Sequence, residues 1–346
     1  MDWTLAHHER SEQIFGAKRS YDYVRNCPSR YQTVLTAAVS NRDTVDGLML
    51  EVQSPSYEKD ELAYLQMTAQ EGYEQMEQVH ERLLELLHFQ KNRLAYRKRT
   101  EIVQAMVEQL EAEGEFPKAD YAFDNGVLSR PLTQLIEASG KHWVSEIECS
   151  RLILWESHWQ RVERVATHLR TEHPQSFRRA QVKGRNGSIK TIWAFTKGVR
   201  LKKYGRKRLV IVHEHQDLSD TPRCLLTDAQ HWESVRIVQT WSYRWPIEVF
   251  HEFCKQLAGF ESAQVRKEEA VKRHFCLSFV AQSILQRLTG AGGKSERFAF
   301  AHTQQTIGQK LYRLNREAVG SLLRWAEHLL AQGQSAAQLL EVAMPA

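Results

Sequence analysis

Residues 118–146, KADYAFDNGVLSRPLTQLIEASGKHWVSE, decide the fold class. "KADYAFD" is a short apolar and aromatic run that closes on Asp124-Asn125-Gly126, a turn signal, so it predicts a buried strand. "LSRPLTQLIEASG" reads as a helix with a glycine stop, and "KHWVSEIE" as a second strand. Strand, helix, strand in that order is the pattern of an α/β sheet.

Toward the N-terminus the first 50 residues read as β. "RYQTVLTAAVS" (30–40) and "VDGLMLEVQ" (45–53) are β-branched runs separated by "NRDTVDG", a loop of Asn, Asp and Gly, which predicts an antiparallel pair. From Glu58 to Glu113 there is no proline and no glycine except Gly72, and Leu83, Leu84, Leu86 and Leu87 recur among charges. That stretch predicts one or two long amphipathic helices, ended by Pro117.

Toward the C-terminus the charge changes character. The whole chain of 346 residues carries 47 Lys+Arg against 42 Asp+Glu, a net +5. Between Arg178 and Arg208 there are 12 Lys/Arg and no acid, so this segment alone is +12 and the remainder −7. The basic residues Arg178, Arg179, Lys183, Arg185, Lys202, Lys203 and Arg206 interleave with strand-like "KTIWAFTKG" and "RLVIVHE", which predicts a β-hairpin insertion. With Phe177, Trp193, Phe195 and Tyr204 in the same segment, it suits a nucleic-acid backbone: cations displace counterions from phosphates, and rings stack on bases. RNA or an acidic protein fits the charge equally well.

From Glu233 to Leu288 the pattern is helical, and after the spacer "TGAGGKSERFAFAHTQQT" a final helical region follows, "REAVGSLLRWAEHLLAQG". The expected organisation is therefore a core over 1–150, a basic β-rich insertion over 151–233, a core helix over 234–290 and a helical C-terminal region over 291–346. A hydrophobic fraction of 42% excludes a disordered chain. No apolar run reaches the roughly 18 residues of a membrane span, and the N-terminus has no apolar signal core. The five cysteines are scattered without a Cys-x-x-Cys, which fits buried thiols in a reducing compartment better than a disulfide frame or a cysteine zinc site. The expectation is a soluble cytosolic protein without membrane contact.

Within "RIVQTWSYRWPIEVFHEFCKQLAGFESAQVRKEEAVKRHF", Glu248 and Lys255 are seven residues apart. At about 100° per residue that is about 20° short of two turns, so they share one face. Arg244 lies four residues before Glu248 and Trp241 three before that; a continuous helix sets all four within an arc of about 60°. Pro246 interrupts that regularity. By themselves Arg244 and Glu248 make an ordinary i,i+4 ion pair. The alternative for Asp124 is a plain Asx-turn residue, and Asp228 in "LLTDAQHW" reads as the N-cap of the following helix rather than a metal ligand.

The spacing R-x3-E-x6-K, with an aromatic three residues before the arginine, resembles the Y-R-E-K signature of bacterial insertion-sequence DDE transposases, here Trp241, Arg244, Glu248 and Lys255. "YAFDNGVLS" is similar to the strand end that carries the family's second acid, at Asp124. "MDWTL" offers Asp2 and Thr4 in the place of the first acid's D-x-T-like pattern. "FGAKRSYDYV" is similar to a downstream region of relatives. The chain departs from the family at two points: Trp241 replaces the signature tyrosine, and Met1 stands one residue before the first acid, where relatives carry an apolar strand and usually a DNA-binding region. The resemblance thus describes an N-terminally shortened member.

The resemblance implies a ribonuclease-H-like mixed sheet flanked by helices, interrupted by a β-rich insertion, with a helical C-terminal region. It implies that Asp2, Asp124 and Glu248 hold two Mg²⁺ ions (Mn²⁺ as substitute) for cleavage at transposon ends and strand transfer into target DNA. Arg244 and Lys255 would grip phosphates, Trp241 would face the DNA, and Trp193 would stack on an extruded base. A homodimer on double-stranded DNA, in the bacterial cytoplasm at the nucleoid, completes that picture. His251, one turn from Glu248, is a candidate supporting group. The alternatives are an inactive or domesticated remnant that binds DNA through its basic insertion without cleaving it, and a metal-dependent nuclease without strand transfer.

Overall fold

The β-branched runs near the N-terminus pair as their patterning requires. In the computed structural model, which describes residues 1–9, 14–41, 44–55, 96–183, 189–287 and 307–343, strand β3 (Cys27–Ser40) pairs antiparallel with β4 (Val45–Gln53) through Val34↔Val52 and Thr36↔Leu50. Two further strands join them. Strand β1 (Asp2–His7) lies on the other side of β3, with Asp2 opposite Thr36, and β2 (Lys18–Asp22) pairs with the start of β3. The result is a four-stranded antiparallel sheet.

Of the long helical stretch expected over 58–113, residues 56–95 lie outside the described residues. Its end is helix α1 (Arg99–Glu113). Gly114, not Pro117, stops it: Gly114 takes φ 67°, the left-handed region open to glycine, and its N–H bonds to Leu110 O.

The strand–helix–strand reading of 118–146 holds. Strand β5 (Tyr121–Phe123) and β6 (Trp143–Glu146) are parallel, with Phe123 opposite Ser145, and helix α2 (Arg130–Ala138) crosses between them. Ser129 caps α2 by accepting from the Leu132 N–H, and Leu132, Thr133 and Ile136 face the core.

Beyond β6 the chain forms β7 (Leu152–Trp155), β8 (His158–Arg161), helix α3 (Val162–Glu172), β9 (Arg178–Lys183), β10 (Ile189–Leu201), β11 (Gly205–His213) and β12 (Arg223–Thr227). The expected hairpin is β10–β11. Strand β12 pairs with β6, so the basic strands continue the sheet that starts at β5, in the order β5-β6-β12-β11-β10-β7-β8, with β9 also on β10. Val144, Leu225 and Val210 face one apolar layer of this sheet with Trp232 and Ile237; Phe123, Trp143 and Ile211 face the other with α1 and α2.

The helical tail comprises α4 (Ser234–Ser242), α5 (Trp245–Leu257), α6 (Glu268–Arg287), α7 (Ile307–Ala331) and α8 (Ala336–Ala343). The spacer 289–306 falls outside the described residues. Helices α5 and α6 cover the four-stranded sheet through Phe250, Phe275 and Phe279, packed on Val34 and Val52. The architecture is mixed α/β, with an open mixed sheet flanked by helices. Among the described residues no helix is long and apolar enough to cross a membrane.

Candidate active site

Helix α5 is amphipathic by composition. Ile247, Phe250 and Cys254 are buried in the core, and Glu248, Glu252 and Lys255 recur at i, i+4 and i+7 on another face. That face meets the start of β1 and the carboxyl ends of β5 and β6. Asp2, Asp124, Glu248 and Lys255 line one cleft of about 540 Å³ together with Arg244, Glu146, Glu252 and His251. A cleft outside the carboxyl ends of parallel strands is the usual ligand site of such sheets.

The three acids arrive from positions 2, 124 and 248, and Arg244 organises two of them. Its Nη1 donates to Asp2 Oδ2 at 2.8 Å, and its Nη2 meets Glu248 Oε1 at 2.5 Å. Both Arg244 and Asp2 are almost fully buried. Asp2 Oδ1 also accepts from the Trp3 N–H. Burial pushes the Asp2 carboxyl up to about 6; Arg244 opposes this, and the Asp124 charge reinforces it. The Arg244 guanidinium, which burial alone would weaken, is held above its ordinary value by Asp2 and Glu248. The Met1 amine is buried and donates to Ala122 O at 3.0 Å, fixing the start of β1 against β5.

Asp124 stands just past β5. Its Oδ1 accepts from the Gly126 N–H at 2.8 Å, an Asx turn, and the same residue faces the cleft. Gly126 gives this turn room: a Cβ would come 3.1 Å from both Asp124 Oδ1 and Trp3 Nε1, a tight approach that one of these side chains would have to relieve.

The single-helix arithmetic over 241–255 fails at its first member. Helix α4 ends at Ser242 and α5 begins at Trp245 with Pro246 in its first turn, so Trp241 belongs to another helix. Trp241 is buried among Ile237, Val238 and Leu225, with the Arg244 guanidinium 5.2 Å from its ring, and it is not among the residues lining the cleft. Trp193 is half-buried against the sheet core. His251 lines the cleft but donates to or accepts from Thr36 Oγ1 at 3.0 Å, and burial, helped by Lys255, lowers it to about 3, so it is a neutral imidazole. Asp228 does not cap a helix. Its carboxylate takes the Trp143 N–H and the His142 ring at the start of β6.

The exposed basic residues divide by strand register. Glu146 pairs with Leu225, Leu225 with Val210, and Val210 with Thr196. From that rung, β10 runs toward Arg178, Arg179 and Lys183 on the cleft end of the sheet. It runs toward Lys202, Lys203 and Arg206 at the opposite end. Lys183 and Arg206 are separated by about ten residues along β10, on the order of 30 Å. Arg185 lies outside the described residues. Lys207 and Arg208 are internal: Lys207 pairs with Glu137, and Arg208 bonds to Gln230 O.

Two cleft acids escape a reading by sequence. Glu252 stands one turn after Glu248, and Glu146 ends β6 beside Asp124 across the parallel pair; the i,i+4 spacing and the strand-end position are the available signals.

Among known proteins, no family model matches the chain and no curated protein matches it.

The donors facing the cleft are chemically suited to a hard cation. Five carboxylates face two cationic side chains, and with His251 neutral the formal balance is −3. Carboxylate oxygens are the ligand type that Mg²⁺ and Mn²⁺ take. Among the described residues no three such side chains stand together as a ligand set, in keeping with Arg244 lying between Asp2 and Glu248.

Proposed function

We propose that the chain is a DDE-type transposase whose ribonuclease-H-like core cleaves phosphodiesters at transposon ends and joins them to target DNA. One observation carries this reading: Asp2, Asp124 and Glu248, far apart in sequence, line one cleft with Arg244 and Lys255. Parallel β5 and β6, the Met1 amine bonded to Ala122 O on β5, and a later helix bearing the third acid support a ribonuclease-H-like order, although β1 pairs within a sheet separate from β5 and β6.

In this reading Asp2, Asp124 and Glu248 hold divalent cations, which when bound activate water or a 3′-hydroxyl and stabilise the leaving oxygen. Arg244, its fork committed to Asp2 and Glu248, keeps both carboxylates oriented toward the cleft and is not itself free to grip a phosphate. Lys255, partly buried at the far side of the same helix face, supplies a point charge to a neighbouring phosphate. The neutral ring of His251 holds α5 against Thr36 on β3 and adds no charge to the cleft. Arg178, Arg179 and Lys183, on the cleft end of the sheet, continue a cationic track for double-stranded DNA.

The test is a supercoiled donor plasmid carrying the element's ends, incubated with protein and Mg²⁺ or Mn²⁺. Cleavage and joining that vanish in Glu248→Gln support the reading. Salt-sensitive binding without nicking under either metal overturns it in favour of an inactive DNA-binding derivative, and cleavage without joining in favour of a nuclease.

A further inference from the structure

Cys149 and Cys224 lie 75 residues apart in sequence, yet their Sγ atoms are 3.1 Å apart. Backbone bonds fix both partners. Ile147 N–H donates to Cys224 O, and Glu163 N–H donates to Cys149 O, so the segment after β6 is fastened to β12 and to α3. The two sulfurs differ in access. Cys224 is 1% exposed within the apolar core, whereas Cys149 is only partly buried at its edge. A reagent in solvent therefore reaches Cys149 first and meets Cys224 only through it.

We propose that Cys149 and Cys224 form a redox-active dithiol, in which a peroxide oxidises Cys149 and Cys224 then closes the disulfide. The Cys149 thiolate attacks one peroxide oxygen, the O–O bond breaks, and the products are a Cys149 sulfenic acid and hydroxide, which is protonated to water. The Cys224 sulfur then attacks the sulfenic sulfur, the S–O bond breaks, and a second water leaves with the Cys224 proton. Two thiols and one peroxide become one disulfide and two waters.

The division of labour follows the surroundings. The contact with Cys224 lowers the Cys149 thiol and so favours its thiolate. The same contact, with burial, pushes Cys224 upward and keeps its proton until attack. Glu146, which lines the candidate active site, acts electrostatically on both sulfurs. The disulfide therefore forms three residues beyond Glu146, joining the chain after β6 to β12 covalently.

The experiment uses the reduced full-length chain and hydrogen peroxide, followed by alkylation and peptide mapping. The expected product is a Cys149–Cys224 linked peptide that dithiothreitol separates. Cys224→Ser is expected to leave Cys149 as a sulfenic acid trapped by dimedone, and Cys149→Ser to leave Cys224 unoxidised. Before oxidation, Cys149 is expected to alkylate about tenfold faster at pH 7 than Cys276, whose thiol is pushed up by burial. Recovery of both cysteines as separate alkylated peptides after oxidation overturns the proposal. So does conversion of wild-type Cys149 to sulfinic acid without linkage. Neither readout requires the variants to cleave DNA.

Discussion

Arg244 Nη1 reaches across 242 residues of sequence to Asp2 Oδ2 at 2.8 Å, and both side chains are 7% exposed. This ion pair joins the first strand to the start of α5. Removing one member of a buried pair strands the other charge, which typically costs about 3–5 kcal/mol. Arg244→Ala is therefore expected to lower unfolding free energy by that order in a urea titration. Arg244→Lys restores only part, because an ammonium lacks the fork that meets Asp2 and Glu248 together. A wild-type midpoint in Arg244→Ala would show that the pair is not formed in solution.

Glu248→Gln keeps the side chain's volume and removes its charge. DNA cleavage is expected to fall by about 10²–10³-fold, the range seen when a charge-stabilising group is removed. DNA affinity and melting temperature should stay near wild type. Glu252→Gln, one turn along on the same cleft, is expected to fall less; equal losses would make Glu252 an equal partner.

His251 provides a pH test of the fold. Its folded value, about 3, lies below the ordinary 6.5, so acid protonates the unfolded chain first and stability falls as pH drops below 6.5. Between pH 7 and pH 5 this amounts to roughly 2 kcal/mol. Asp2 acts in the opposite sense: its raised value adds stability as pH falls through about 6. Subtracting the His251→Gln profile from wild type isolates the histidine. Parallel profiles in thermal melts would refute its burial as a neutral ring.

The register of β10 separates two groups of basic residues, and binding should separate them too. Substituting Arg178, Arg179 and Lys183 with alanine is expected to weaken DNA binding and to reduce the salt slope by about one for each phosphate left without its cation. The same treatment of Lys202, Lys203 and Arg206 should change the slope less. Fluorescence anisotropy over a salt series measures both, and the reverse ranking would place DNA on the other end of the sheet.

Gly47 on β4 faces α6, and an added methyl would collide with the Phe279 ring and approach Phe250. Gly47→Ala is expected to destabilise by about 1–3 kcal/mol, as overpacked cores do. An unchanged denaturation midpoint would mean that α6 is not packed against this strand.

What the sequence could disclose was decided by distance along the chain. The strand–helix–strand order of 118–146 and the β3–β4 and β10–β11 hairpins were legible, because each is read from pattern and turn residues within one short window. The i,i+4 and i,i+7 positions of Arg244, Glu248 and Lys255 were legible for the same reason. Trp241 falls elsewhere because a single helical period does not continue across Tyr243–Trp245, where proline starts a new helix. Asp228 departs from the capping role because its partners, His142 and Trp143, come from a distant strand. Glu146 is hidden because only the parallel pairing of β5 with β6 brings it beside Asp124. Asp2, Asp124 and Glu248 are named together through a family likeness; local spacing alone says nothing of their meeting.

The cleft borrows its walls from two separate sheets. Asp2 rides on the four-stranded one, Asp124 and Glu146 on the eight-stranded one, and Glu248 on a helix packed over the first. Whatever spans these oxygens also rivets the two sheets together. Occupancy of the cleft and cohesion of the whole molecule are then a single linked equilibrium, and a cation that binds only the assembled sheets must raise the temperature at which they part.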